Sequence, residues 1–139
     1  MIVIDASAVL ELLLRTDKGI KVQGRALISK ESLHAPQLID IEVAQTLRRL
    51  VHLKEISTAR GKQALDDYIA LNIKRAEHRE FLERVWKLRD SVTAYDAAYV
   101  VLAEALDAPL ITCDAKLARS HGHDARIELP RRLPVEAER

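Results

Sequence analysis

Short apolar runs alternate with longer stretches of helical period along this chain, and that alternation restricts the fold more than any other feature of the sequence. Ile2-Val3-Ile4 is too short for a helix and apolar at every position, the pattern of a strand covered on both faces. Leu33-His34-Ala35, closed by Pro36, reads as a second strand. Leu110 to Cys113 and Arg126 to Leu129 read as two more, and a further short strand is expected within Asn72 to Ala76. Helices are predicted between them, over Ser7 to Leu14, Asp17 to Ser29, Leu38 to Leu53, Thr58 to Leu71, Arg79 to Leu88, Thr93 to Leu106 and Ala115 to Ser120. In Leu38 to Leu53, residues Ile39, Val43, Leu47, Leu50 and Val51 fall on one face at ~100° per residue. Thr93 to Leu106 is apolar nearly all round, so it should be buried. Gly19 and Gly24 weaken the second helix. Parallel strands need helical crossovers, so the expected class is α/β: a three-layer sandwich with a mostly parallel central sheet flanked by helices.

Composition sets the outer limits. A length of 139 residues with 48% hydrophobic side chains suits one domain with a true core, expected over residues 1–130, followed by a charged tail over 131–139. The lone Cys113 excludes an internal disulfide and fits a reducing compartment. The apolar start meets a charge at Asp5, too soon for a signal peptide, and no run approaches the ~20 apolar residues of a membrane span. A soluble, cytoplasmic protein with no membrane partner is expected. The net charge of +1, from 22 basic and 21 acidic residues, supplies no overall pull on a polyanion. Any nucleic acid would have to be held by a local patch.

In open parallel sheets, ligands bind beyond the carboxyl ends of the strands. Asp5 ends the first predicted strand and Asp114 ends the strand Leu110 to Cys113. Glu42 lies within two turns of the start of the helix after Leu33 to Ala35, and Asp96 sits in the first turn of the helix leading into Leu110. Returning helices begin at that same edge, so all four acids map to one rim. Four gathered carboxylates repel, and a hard divalent cation with oxygen ligands relieves the repulsion. Such an ion also serves phosphodiester hydrolysis. Each acid has a plainer reading. Asp5 and Asp114 can cap the helices that follow them. Thr93-Ala94-Tyr95-Asp96 fits a capping box, and Glu42 can be a solvated residue on the flank of its helix.

The same residues carry a resemblance. Val3-Ile4-Asp5-Ala6-Ser7-Ala8 opens the chain, and Pro36 is followed by Glu42 in a helix ending near Arg48-Arg49. Thr93-Ala94-Tyr95-Asp96-Ala97-Ala98-Tyr99, then Ala103-Glu104, then Leu110-Ile111-Thr112-Cys113-Asp114 with Leu117 complete the pattern. In this order and spacing the chain resembles the PIN-domain ribonucleases, and within them the VapC-like toxins of bacterial toxin-antitoxin pairs, over nearly its whole length. The resemblance implies an endoribonuclease in which Asp5, Glu42, Asp96 and Asp114 bind Mg²⁺ or Mn²⁺, as one or two ions. It implies supporting hydroxyls at Ser7 and Thr112, whose local alternative is backbone capping. It also implies a homodimer and a small antitoxin that blocks the site.

Lys116, Arg48 and Arg49 are candidate contacts for RNA phosphates, against the alternative of a solvated face. His121-Gly122-His123 reads as a helix end with Gly122 as the cap residue rather than a metal site. Cys113 is expected in a buried strand, and Trp86, Tyr68 and Phe81 in core or dimer contacts. Rival enzymes fail on particular residues. A haloacid-dehalogenase-type phosphatase needs a second Asp two residues after Asp5, where Ser7 stands. A phospho-acceptor receiver needs paired acids at the first strand and a late Lys where Asp114 stands. A non-catalytic binding module and a DNA-directed nuclease of the same fold stay open. The sequence names neither the RNA cut nor the antitoxin.

Overall fold

The structure, a computed structural model, describes residues 1–28 and 30–131. The expected charged tail lies outside the described residues, except for Arg131. Its elements are β1 (Ile2–Ile4), α1 (Ala6–Leu14), α2 (Asp17–Ala26), β2 (Leu33–Pro36), α3 (Ile39–His52), α4 (Thr58–Ala70) and β3 (Ile73–Ala76). A 3₁₀ turn over Arg79–Phe81 leads into α5 (Leu82–Lys87), followed by α6 (Ala94–Leu106), β4 (Leu110–Ile111), α7 (Ala115–Ala118) and β5 (Ile127–Glu128). The five strands form one parallel sheet in the order β3-β2-β1-β4-β5. Right-handed crossovers place α1 to α4 on one face and α5 to α7 on the other. The packing of α1 on α2, α3 and α4, and of α5 on α6, agrees.

The order of strands explains where a site can form. From β1 the chain moves outward to β2 and β3, then returns past β1 to β4. The connections leaving β1 and β4 therefore diverge to opposite faces, and a crevice opens between their carboxyl ends. Val3 pairs with Leu110 and Ile4 with Ile111, so Asp5 and Thr112 emerge side by side.

Burial follows the sequence pattern. Ile2, Val3, Ile4, Leu110 and Ile111 are fully buried, as expected of strands covered on both faces. Residues Ala97 to Ala103 of α6 are buried without interruption. Each large aliphatic side chain so buried contributes ~1.5–3 kcal/mol to folding. Gly19 marks the tightest crossing. A Cβ there would lie 2.0 Å from the Glu11 carbonyl oxygen, so only glycine lets α2 pack this closely on α1. A residue expected to weaken α2 is what allows its packing.

Several expectations are corrected. The strand expected over Leu110 to Cys113 stops at Ile111. The Thr112 N–H still bonds Glu128 O at 3.1 Å, but the two N–H groups after it leave the ladder for side chains: Cys113 N–H bonds Ser7 Oγ and Asp114 N–H bonds Thr112 Oγ1, both at 3.0 Å. Cys113 is accordingly only half-buried. β2 includes Pro36, because the Gln37 N–H makes the next bond to β3, at Ala76 O. Trp86 is 67% exposed and is no core residue. Gly122 has φ +86°, but it follows α7 by several residues, whose cap is Arg119, so it shapes a loop rather than ending the helix. Among the described residues no helix is long and apolar enough to cross a membrane.

Candidate active site

Asp5 sits where β1 becomes α1, and its carboxylate is 6% exposed. Oδ1 accepts the Ser7 hydroxyl at 2.7 Å and the Ala8 N–H at 3.0 Å; Oδ2 accepts the Thr112 hydroxyl at 2.5 Å. Oδ1 thus caps α1, as the plainer reading expects, while both oxygens are also held by hydroxyls. Ser7 and Thr112 each give their one proton to Asp5 and each receive a backbone N–H from the segment after β4. Their mutual 3.2 Å approach has no proton left to share. The hydroxyls therefore fix Asp5 and tie the ends of β1 and β4 together. The alternative of purely local capping describes half of what Thr112 does and none of what Ser7 does.

The other acids come from helix starts. Glu42 lies in the first turn of α3. Asp96 lies in the first turn of α6, where its N–H bonds the capping Thr93 hydroxyl at 3.2 Å. Asp114 caps α7 through the N–H groups of Lys116 and Leu117. Asp5, Glu42, Asp96 and Asp114 all line one cavity of about 460 Å³, together with Ser7, Arg49 and Tyr99. Arg48 does not line it. Lys116 lines a neighbouring cavity that shares Asp96 and Asp114.

The electrostatics are those of crowded anions. Burial pushes the Asp5 carboxyl above its usual range; its three hydrogen bonds oppose this, and the charge of Asp96 adds to it. Burial likewise raises Glu42, helped by Asp5 and Asp96 and opposed by a hydrogen bond from Tyr99. Burial raises Asp96 too, with Asp114 adding to the rise and Lys116 pulling it down. Three of the four acids thus sit in surroundings that disfavour their charge.

Tyr99 is the residue the sequence reading missed. Its hydroxyl donates to Glu42 Oε1 at 2.6 Å. It lies one helical turn after Asp96 on α6, and that i, i+3 spacing was the available signal. The buried aromatic position reads as core, and only the fold shows that its hydroxyl reaches α3.

The PIN domain model matches residues 2–121. Curated relatives agree: Ribonuclease VapC12 of Mycobacterium tuberculosis is 44% identical over 93% of this chain and 98% of its own length. This chain belongs to the VapC ribonucleases of the PIN-domain family. Ribonuclease VapC9 of the same organism is 43% identical, over 85% of this chain and 89% of its own. Among solved structures, PAE2754 from Pyrobaculum aerophilum superposes with a TM-score of 0.67 at 25% identity, covering 91% of this chain and 81% of that one. The crystal structure of VapC20 from Mycobacterium tuberculosis, described as a sarcin-ricin loop cleaving toxin, superposes with a TM-score of 0.62 at 12% identity, covering 85% and 93%. At that identity the likeness is one of fold.

Within this PIN domain the donor set is all carboxylate and hydroxyl oxygen, the chemistry of Mg²⁺ or Mn²⁺ rather than of a thiolate or imidazole metal. Among the described residues no three His, Cys, Asp or Glu side chains close into a ready-made cage. An open rim of carboxylates suits Mg²⁺, which keeps several waters and takes few protein ligands.

Proposed function

We propose that this VapC homologue is a metal-dependent endoribonuclease and the toxin of a toxin-antitoxin pair. The observation that carries the reading is the convergence of Asp5, Glu42, Asp96 and Asp114 on one cavity at the switch point of the sheet. The raised carboxyls of Asp5, Glu42 and Asp96 support it, since burial, with neighbouring charges adding to it, disfavours their ionised forms and a cation would offset that. Asp5, Glu42, Asp96 and Asp114 would hold Mg²⁺ or Mn²⁺, as one or two ions. When bound, such an ion supplies positive charge to the phosphate oxygens and makes nearby water more acidic.

The chain's own groups do the rest. Ser7 and Thr112 hold Asp5 in one orientation, and Tyr99 holds Glu42. One of the cavity's carboxylates takes the proton from the attacking water. The water oxygen bonds to phosphorus, the bond to the 3′ oxygen breaks and that oxygen takes a proton from solvent water, leaving a 5′-phosphate and a 3′-hydroxyl. Arg49 faces the cavity and Lys116 borders Asp96 and Asp114, which supports both as contacts for RNA phosphates. The same reading covers a single nuclease domain over residues 1–130, a cytoplasmic setting, a homodimer and a cognate antitoxin.

The test is a cleavage assay on purified protein freed of bound partner. Total RNA is mixed with wild type in Mg²⁺ or Mn²⁺, with wild type in chelator, and with Asp96→Asn in metal. Discrete fragments with 5′-phosphate ends that need both metal and Asp96 are expected. Folded, metal-binding protein that cuts no RNA would overturn the reading in favour of a DNA substrate or a non-catalytic module.

A further inference from the structure

Beyond Asp96 and Asp114, on the side away from Asp5 and Glu42, lies a second cavity of about 910 Å³. Its walls carry Arg89, Lys116, Arg119 and His121. Asp90 is the one acid on those walls besides the two shared with the first cavity. Among the described residues none of the four basic side chains takes part in an ion pair, whereas Arg25, Arg75, Arg84 and Arg126 all do. Lys116 faces the Asp96 carboxylate, whose pKa its charge pulls down, while Arg89, Arg119 and His121 are held in no ion pair among the described residues.

The cavity is also built rather than incidental. Its Arg89 is held in place: the guanidinium lies 4.7 Å from the centre of the Trp86 ring and donates to Trp86 O at 3.0 Å. The loop carrying Arg119 and His121 is pinned at both ends. Ser120 Oγ donates to Leu117 O at 2.6 Å and meets His123 Nε2 at 2.8 Å, while the Asp124 N–H bonds Glu104, itself paired with Arg84. Gly122, at φ +86°, lets this loop close on the Ser91 loop, since a Cβ would lie 2.9 Å from Ser91 Oγ. Two loops therefore face each other across a basic groove that ends at the acids.

We propose that this groove is the track for single-stranded RNA on one side of the cleaved phosphate, with Arg89 and Arg119 holding successive phosphates and Trp86 positioning Arg89. The inference rests on the ribonuclease reading and assigns it a binding site. A basic groove bordering the acids gives a strand a path along which its phosphate reaches Asp96 and Asp114. The groove meets the RNA backbone, so it sets register and affinity rather than sequence.

The probe is a fluorescein-labelled single-stranded RNA oligonucleotide, titrated by anisotropy in chelator over a salt series. Arg89 and Arg119 are exposed, so Arg89→Ala and Arg119→Glu should fold, which melting curves check. Each variant is expected to bind about tenfold more weakly, a typical effect of removing one charge-assisted hydrogen bond. The slope of log affinity against log salt should become shallower by ~0.7 for each phosphate that is no longer neutralised. In cleavage, KM should rise with kcat nearly unchanged. Trp86→Ala should act like Arg89→Ala, and Trp86→Phe, which keeps a ring under the guanidinium, should restore binding. Wild-type affinity and salt slope in both arginine variants, with RNA still bound and cut, would overturn the groove and leave the nuclease standing. Wild-type protein that neither binds nor cuts RNA would overturn the nuclease reading and the groove with it.

Discussion

The hydroxyl of Tyr99, on α6, donates to Glu42 Oε1 on α3 at 2.6 Å, across the cavity shared by the four acids. This bond joins the two helices that deliver Glu42 and Asp96. It also works against the burial that raises the Glu42 carboxyl.

Removing that hydroxyl should therefore shift a pH profile. Tyr99→Phe leaves Glu42 half-buried without its donor, so its pKa rises further. If cleavage needs ionised Glu42, the acid limb of the rate profile moves to higher pH. A fall of ~10-fold at neutral pH is expected, within the range for loss of a supporting hydrogen bond. An acid limb that stays in place in Tyr99→Phe would show that Glu42 ionisation does not control the rate.

Thr112 invites an isosteric test. Thr112→Val keeps the shape but removes the donor to Asp5 and the acceptor of the Asp114 N–H. Both partners are left short of a bond, at ~1–3 kcal/mol for the buried Asp5 and less for the part-buried Asp114 N–H. Melting temperature and cleavage should both fall, and Thr112→Ser should recover most of each. Thr112→Ser as damaged as Thr112→Val would argue for a methyl packing role instead.

Stability should respond to pH in an unusual direction. Asp5, Glu42 and Asp96 have carboxyls raised above their ordinary values of 3.8, 4.5 and 3.8. A raised carboxyl binds protons more tightly folded than unfolded. Its contribution is present in full below the unfolded value and is lost as pH rises through the folded one. Metal-free protein should thus lose melting temperature between about pH 4 and neutrality from these groups, Mg²⁺ should restore it at neutral pH, and Asp96→Asn should flatten the dependence. Calorimetry with and without chelator measures all three, and a profile unaffected by metal or by Asp96→Asn would reject the coupling.

Gly19→Ala tests the crossing of α1 and α2. The new Cβ would meet the Glu11 carbonyl oxygen at 2.0 Å, which is backbone and cannot swing aside. A loss of ~2–4 kcal/mol is expected, against the slight gain that alanine brings to an open helix. Urea denaturation decides between the two signs.

The sequence alone was enough for the α/β class, because period and length separate buried parallel strands from amphipathic helices at almost every element. It was enough to send Asp5, Glu42, Asp96 and Asp114 to one edge, because strand ends and returning helix starts must share that edge. It misread what depends on groups distant in sequence. The strand after Pro109 stops early because the N–H groups of Cys113 and Asp114 are taken by Ser7 and Thr112, and Ser7 comes from the other end of the chain. Gly19 was misjudged and the hydroxyl of Tyr99 passed over for the same reason: helical spacing shows which residues share a face but not what that face meets. Propensity and hydrophobic period are local quantities and are written in the chain. The partner of Tyr99, the closeness allowed by Gly19, and the pairing that leaves Arg89, Lys116 and Arg119 facing an open groove are set by packing, which exists only once the sheet has brought the pieces together.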